Sequence, residues 1–96
     1  MHAVIRLYSG EGARALFDML EARKAEVEEV MRGVADFRSY TLIRTATGGA
    51  SVTCCEDKFG TDQSMKLAHK WISENAANLN LAGPTIAEGE VILALG

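Results

Sequence analysis

Tyr8, Lys24, Tyr40, Arg44, His69 and Trp71 are the side chains of this 96-residue chain whose types and places can do chemistry. Tyr40 and Arg44 lie in one run of β-forming residues, at a spacing that puts both on the same face of a strand. A phenol and a guanidinium side by side can polarise the oxygen of a bound phenol or quinone, given a dry aromatic pocket. The plainer role for such an arginine is to stack on an aromatic ring or pair with Glu56 or Asp57. Tyr8 and Arg6 on an earlier run, and Arg38 beside Tyr40, are further strand residues able to line a cavity. His69 sits at the edge of an apolar helical stripe. As a base it needs a partner that fixes its tautomer, and the spacing shows none. Trp71, the single tryptophan, falls inside that stripe, either as core or as a pocket wall that stacks on a planar ligand. Lys24 falls inside the stripe of an earlier helix. It either buries its methylene stem and sends the ammonium outward, or holds an anionic ligand beneath the helix.

Other patterns point to less. Gly10-Glu11-Gly12-x-x-Ala15 follows a strand and opens a helix, as a dinucleotide-binding turn does. The chain is too short of strands for a doubly wound sheet, and Glu11 sets a negative charge where a pyrophosphate would lie. A strand-to-helix turn is the reading kept. Cys54 and Cys55 are neighbours on a strand and point to opposite faces, so they neither bridge each other nor chelate together. They read as reduced, buried thiols. No metal-ligand cluster, nucleophile–base pair or phosphate loop is visible, and neither metal nor cofactor is expected. A net charge of −3 with scattered Lys and Arg excludes the basic face that nucleic acid requires. No apolar stretch approaches the ~20 residues of a membrane span, and the amino terminus lacks the pattern of a signal peptide. The expectation is one cytoplasmic domain over residues 1–96, with a hydrophobic content of 48% that suffices for a core.

The elements that position these side chains follow from period and punctuation. His2–Tyr8 reads as a strand closed by Ser9-Gly10, with Ser9 able to cap the next helix. Leu16, Phe17, Leu20, Val27, Met31 and Val34 recur at helical steps from Ala13 to Gly33. Phe37–Asp57 reads as a hairpin around Gly48-Gly49, a pair that accepts the positive φ of a two-residue loop. That register sets Thr45 against Val52, Ile43 against Cys54, Leu42 against Cys55 and Tyr40 against Asp57. Lys58-Phe59-Gly60 then turns the chain, and Thr61 or Asp62 caps a second helix with Met65, Leu67, Ala68, Trp71, Ile72, Ala76 and Leu79 on its apolar side. Thr85–Leu95 reads as a last strand with a bulge or bend at Gly89. Strand, helix, strand, strand, helix, strand with right-handed crossovers gives an α+β, ferredoxin-like sheet of four antiparallel strands with both helices on one face. Both hairpin faces carry apolar residues, so the face away from the helices needs its own cover, and a second copy of the chain is the economical one. A homodimer above ~2,000 Å² of buried surface is expected.

The element order, the segment VADFRSYTLIRT and the run SVTCCEDKFGTDQS ahead of a Trp-bearing helix resemble the dimeric α+β barrel superfamily. Within it the chain is most similar to small stand-alone proteins of the antibiotic-biosynthesis-monooxygenase type, many without an assigned activity. Relatives often show Pro-Gly-Phe before the second strand; here Ala35-Asp36-Phe37 shares only the Phe. The resemblance implies a sheet-to-sheet dimer and a pocket between helices and sheet in each subunit. It transfers no activity by itself, and three readings stay open: a cofactor-independent monooxygenase acting on a small aromatic or quinone-like molecule, whose own electrons activate oxygen; a non-catalytic dimer that binds a small apolar ligand; or an interaction module whose pocket is filled by its own side chains. Tyr40, Arg44 and His69 are then the catalytic candidates, and Trp71, Tyr8 and Lys24 the ligand-binding ones. Haem-degrading members use an Asn on the first strand and a His after the helical Trp; Trp71 matches in type, and the other two have no counterpart.

Overall fold

The computed structural model describes residues 1–96. His2–Ser9 (β1) alternates as a half-buried strand does, turning Val4, Arg6 and Tyr8 inward and Ile5 and Leu7 outward. It is followed by Ala13–Ala22 (α1), Lys24–Arg32 (α2), Phe37–Thr45 (β2), Gly48–Cys55 (β3), Lys58–Asn75 (α3) and Thr85–Glu90 (β4). The sheet order is β2-β3-β1-β4, with every neighbouring pair antiparallel. This is the expected α+β, ferredoxin-like arrangement, with the first crossover made of two helices. Leu16, Phe17, Leu20, Val27, Met31, Ala68 and Trp71 form the core between helices and sheet.

The first helix breaks at Arg23, whose backbone leaves the helical region at φ −115°, ψ 34°. Between Leu20 and Val27 the helical stripe would have to pass through Lys24, and a straight helix would press that ammonium onto the sheet. The break leaves Lys24 exposed. Arg23 is held where it stands by Asn75 Oδ1 at 2.9 Å, Glu26 at 2.5 Å and the ring of Trp71 at 5.1 Å. Ser9 caps nothing; Gly12 occupies the cap position, with a left-handed backbone and no side-chain bond.

The hairpin turns two residues earlier than expected. Thr45 faces Gly48, so Ala46-Thr47 is the loop, and both glycines belong to β3. Their reason is the helix above them. A Cβ at position 48 would lie 2.6 Å from that of Ala13, and one at position 49 would overlap the ring of Phe17. The pairing moves by an even number of residues, so the faces keep their members. Tyr40, Leu42 and Cys55 face the helices, while Ile43, Val52 and Cys54 face away. The exception is Phe37, which a register shift between Phe37 and Ser39 turns onto the helix side.

Lys58-Phe59-Gly60 is the first turn of α3 rather than a loop. Asp57 caps it, its carboxylate accepting the Gly60 N–H at 3.3 Å. Thr61 and Ser64 lie inside the helix with their hydroxyls donating to the carbonyls of Lys58 and Thr61. β4 stops at Glu90, opposite His2, because its partner β1 ends there, and Gly89 pairs regularly with Ala3 without a bulge. Beyond it the Val91 N–H donates to the Met1 carbonyl, and Ile92, Leu93 and Leu95 stand in solvent. Asp36 is the one non-glycine residue with positive φ, at 55°, and its carbonyl accepts the Glu56 N–H at 2.9 Å. The sheet face away from the helices presents Ile5, Leu7 and Ile43, each 45% exposed.

The α1–β3 contact can be tested with one methyl group. Gly49→Ala drives a Cβ into Phe17, and overpacking of this kind costs about 1–3 kcal/mol. In urea denaturation its midpoint should fall clearly, while Gly89→Ala, with nothing within 4 Å, should shift stability by no more than ~0.5 kcal/mol.

Candidate functional site

Strand register lays the site out in rows across the helix-facing side of the sheet. Leu42, Ser51, Arg6 and Ile86 form one row, one residue from each strand; Tyr40, Thr53, Val4 and Glu88 form the next; Arg44, Gly49 and Tyr8 form a third. Arg6 therefore stands on a central strand, directly opposite Ser51, in the middle of a face that helices cover. Only 6% of it is exposed.

Above these rows lies an apolar chamber of about 30 Å³, walled by Phe17, Leu20, Met31 and Trp71 and floored by Arg6, Tyr8, Tyr40 and Ser51. That is room for roughly two waters. Of the open clefts that flank it, two are the larger. One, of about 360 Å³, runs between α3 and β4; it shares Arg6, Tyr8 and Ile72 with the chamber and adds His69, Leu81, Pro84 and Ile86. The other, of about 380 Å³, lies beside α2 and β2 and shares Val27, Met31, Tyr40 and Leu42 with the chamber.

The chamber's polar groups are under-used. Ser51 Oγ and Trp71 Nε1 are buried with no hydrogen-bond partner. Such atoms are rare in folded proteins, and leaving one unpaired costs about 1–3 kcal/mol. An Arg6 Nη donates to the Tyr8 hydroxyl, and its guanidinium lies 5.5 Å from the centre of the Tyr8 ring. Burial pushes the Tyr40 phenol up to about 12; the positive charge of Arg6 offsets this only partly. Tyr40 is thus a hydrogen-bonding group held neutral, not a ready phenolate.

The expected site residues separate into groups. Tyr8, Tyr40 and Trp71 meet at the chamber, and His69 opens onto the α3–β4 cleft. Arg44 shares the face of Tyr40 but reaches outward, to Asp18 at 3.0 Å and Glu21 at 2.8 Å. Its hydrogen bond and charge hold the Glu21 carboxyl below the usual carboxylate range. Lys24 stands exposed at the rim of the α2–β2 cleft. Ser51 was not among the expected residues, and Arg6 entered only as one of several strand residues able to line a cavity. The signal for Arg6 was present in the alternation of β1, which places it between Val4 and Tyr8 on the inward face.

Tyr40 gives a pH test. A folded pKa of about 12 against the ordinary 10.0 means that folding favours the protonated phenol. This contribution, roughly 3 kcal/mol at most, is fully present below pH 10 and is lost as pH rises from 10 toward 12. An absorbance titration of native protein should show a late phenolate step that Tyr40→Phe removes, and the variant should lose less stability across that window.

No protein-family model and no curated protein matches the sequence. Solved structures do match the fold. A protein of unknown function from Nitrosomonas europaea, NE2512, superposes with a TM-score of 0.72 at 16% identity, over 98% of this chain and 90% of that one. The heme-degrader MhuD from Mycobacterium tuberculosis, with two hemes bound in its active site, gives 0.69 at 21% identity over the whole of both chains. A monooxygenase from the gene ActVA-Orf6 of Streptomyces coelicolor, in complex with Nanaomycin D, gives 0.63 at 19% identity over 98% of this chain and 88% of that one. The chain shares with them a ferredoxin-like α+β fold.

Proposed function

We propose that the protein is a homodimeric, monooxygenase-like enzyme that takes a small phenolic or quinone-like molecule between its helices and sheet. The observation that carries this reading is the pair of orphaned polar atoms, Ser51 Oγ and Trp71 Nε1, in an otherwise apolar aromatic chamber. A planar ring with one or two oxygens satisfies both kinds of surface. Its oxygen enters the chamber and accepts from the Ser51 hydroxyl and the Trp71 Nε1–H, and its ring packs on the apolar walls of the adjoining cleft. The fold shared with a monooxygenase solved in complex with Nanaomycin D supports the same class of ligand.

In the balanced reaction a phenol and O2 give a quinone and water. One oxygen atom enters the ring, and the other leaves with the phenol's two hydrogens. The four electrons come from the substrate, so the protein has to bind, orient and take a proton. His69, the imidazole on the α3–β4 cleft, is the candidate base, and Tyr8 and Tyr40 offer hydroxyls to the substrate oxygen. Haem fits the chamber poorly. No histidine lines it, and Tyr40 is held neutral by burial.

A second reading is a non-catalytic dimer that holds a small ligand in the α3–β4 cleft of about 360 Å³, since the chamber of about 30 Å³ takes no more than the ligand's polar end. An oxygen electrode separates the two. With a panel of naphthols and anthrones, an enzyme consumes O2, and His69→Gln and Tyr40→Phe lower kcat by ~100-fold while KM changes little. Quenching of Trp71 emission without O2 uptake establishes the binding dimer instead. If neither occurs across the panel, both readings fail.

The dimer rests on the uncovered sheet face. Ile5, Leu7 and Ile43, with Val52 and Cys54 between them, form an apolar surface, and the Ile92–Leu95 tail adds more. A second copy seated sheet to sheet covers this area and leaves both clefts free. Sedimentation at micromolar concentration should give a dimer, and Ile43→Asp should yield monomer. Leu42→Asp, on the helix side, should prevent folding.

A further inference from the structure

Arg6 is buried on a central strand without a counter-ion. No carboxylate lies within ion-pair reach of it; the chain's ion pairs are all made by His2, Arg23, Arg32, Arg38, Arg44 and Lys58. Neither the chamber nor the α3–β4 cleft is lined by a single Asp or Glu. The closest acid in register, Glu88 on the neighbouring row, is engaged by His2 at 3.5 Å and Lys58 at 3.4 Å. A guanidinium has five donors in a fixed fork, and here one side-chain acceptor, the Tyr8 hydroxyl, serves it. Buried charges in folded proteins are paired, because desolvation without a partner is strongly unfavourable.

Two features place the missing partner. Arg6 lines both the chamber and the 360 Å³ cleft, so it forms part of the wall between the closed space and the open one. Ser51, its direct cross-strand neighbour, has its hydroxyl buried and unpaired. Cβ atoms of such neighbours lie ~5 Å apart, close enough for both side chains to reach one carboxylate. His69 on the cleft is the only other side chain there able to carry positive charge.

We infer that Arg6 and Ser51 form an anion subsite, and that the natural ligand is an aromatic carrying a carboxylate, with the carboxylate in the small chamber between Arg6 and Ser51 and the ring in the adjoining α3–β4 cleft against Ile72, Leu81 and Ile86. The inference rests on the chamber being a ligand site, and it narrows the ligand class from neutral phenols to aromatic acids. The guanidinium fork takes the two carboxylate oxygens side by side, and the Ser51 hydroxyl donates to one of them. The empty site keeps an uncompensated charge, so a neutral ring of the same shape gains less from entering.

Calorimetric titration with 3-hydroxy-2-naphthoate and with its methyl ester tests this, with Trp71 emission as the second readout. The acid should bind about 10- to 100-fold more tightly than the ester, the usual contribution of a charge-assisted bond. Arg6→Met should abolish the preference, weakening the acid far more than the ester; Arg6→Lys, which keeps the charge and loses the fork, should retain part of it. Equal binding of acid and ester by the native chain overturns the subsite while leaving the chamber as a ligand site, and this comparison needs no variant to fold. An acid preference that persists in Arg6→Met also overturns it. If neither probe binds and Trp71 emission is unchanged, the chamber reading fails and the subsite with it.

Discussion

The close seat of α1 on β3 governs the rest of the structure. Gly48 and Gly49 remove two side chains from the sheet beneath Ala13 and Phe17, so helix and strand meet nearly backbone to ring. Phe17 can then come down onto the sheet and pack against Tyr8, their ring centres 5.9 Å apart and their planes tilted by 59°. That one contact sets how high the helical layer rides at the hairpin end. Elsewhere the larger side chains of Tyr40, Met31 and Trp71 fill the same layer, and they do not fill it completely. The chamber is the remainder between a glycine-lowered end and an aromatic-propped one.

Within that remainder the sheet has given a charge the place that a hydrophobic residue would ordinarily take. A leucine at position 6 would close the chamber and need nothing further. A guanidinium there binds a tyrosine hydroxyl and leaves donors over, beside a serine and an indole in the same condition. Three under-satisfied groups around one small volume oppose stability, and such local conflicts in an otherwise consistent fold concentrate where a protein meets a ligand. The charges of Arg44 and Lys58, by contrast, sit outside and are paired by carboxylates along the surface.

Most of the fold could be read from period alone, since the inward members of each strand and helix alternate or recur as burial requires. What could not be read were features decided by partners far away in the chain. Gly48-Gly49 has every local property of a hairpin loop; only the helix resting on it reveals why the glycines are there. The break at Arg23 depends on Asn75 and Trp71, some fifty residues on. The early start of α3 was closer to hand, because Asp57 is a good cap, yet Lys58-Phe59-Gly60 looks like a turn until the Gly60 N–H is seen bonded back to it. Tyr8, Tyr40 and Trp71 could be placed near one another from their faces, whereas Arg6 was hard to weigh. A charged residue in a strand normally marks the solvent side, and nothing nearby announces that it lacks a partner.

Asp36 has the left-handed backbone that glycine adopts freely, at φ 55°. Asp is one of the few side chains that tolerate it, at a strain of roughly 1 kcal/mol. The turn takes this shape because the Asp36 carbonyl must meet the Glu56 amide to start the hairpin's far end. What this position requires is a dihedral angle more than a particular residue, and requirements of that kind let a chain with 16% identity to NE2512 share its fold.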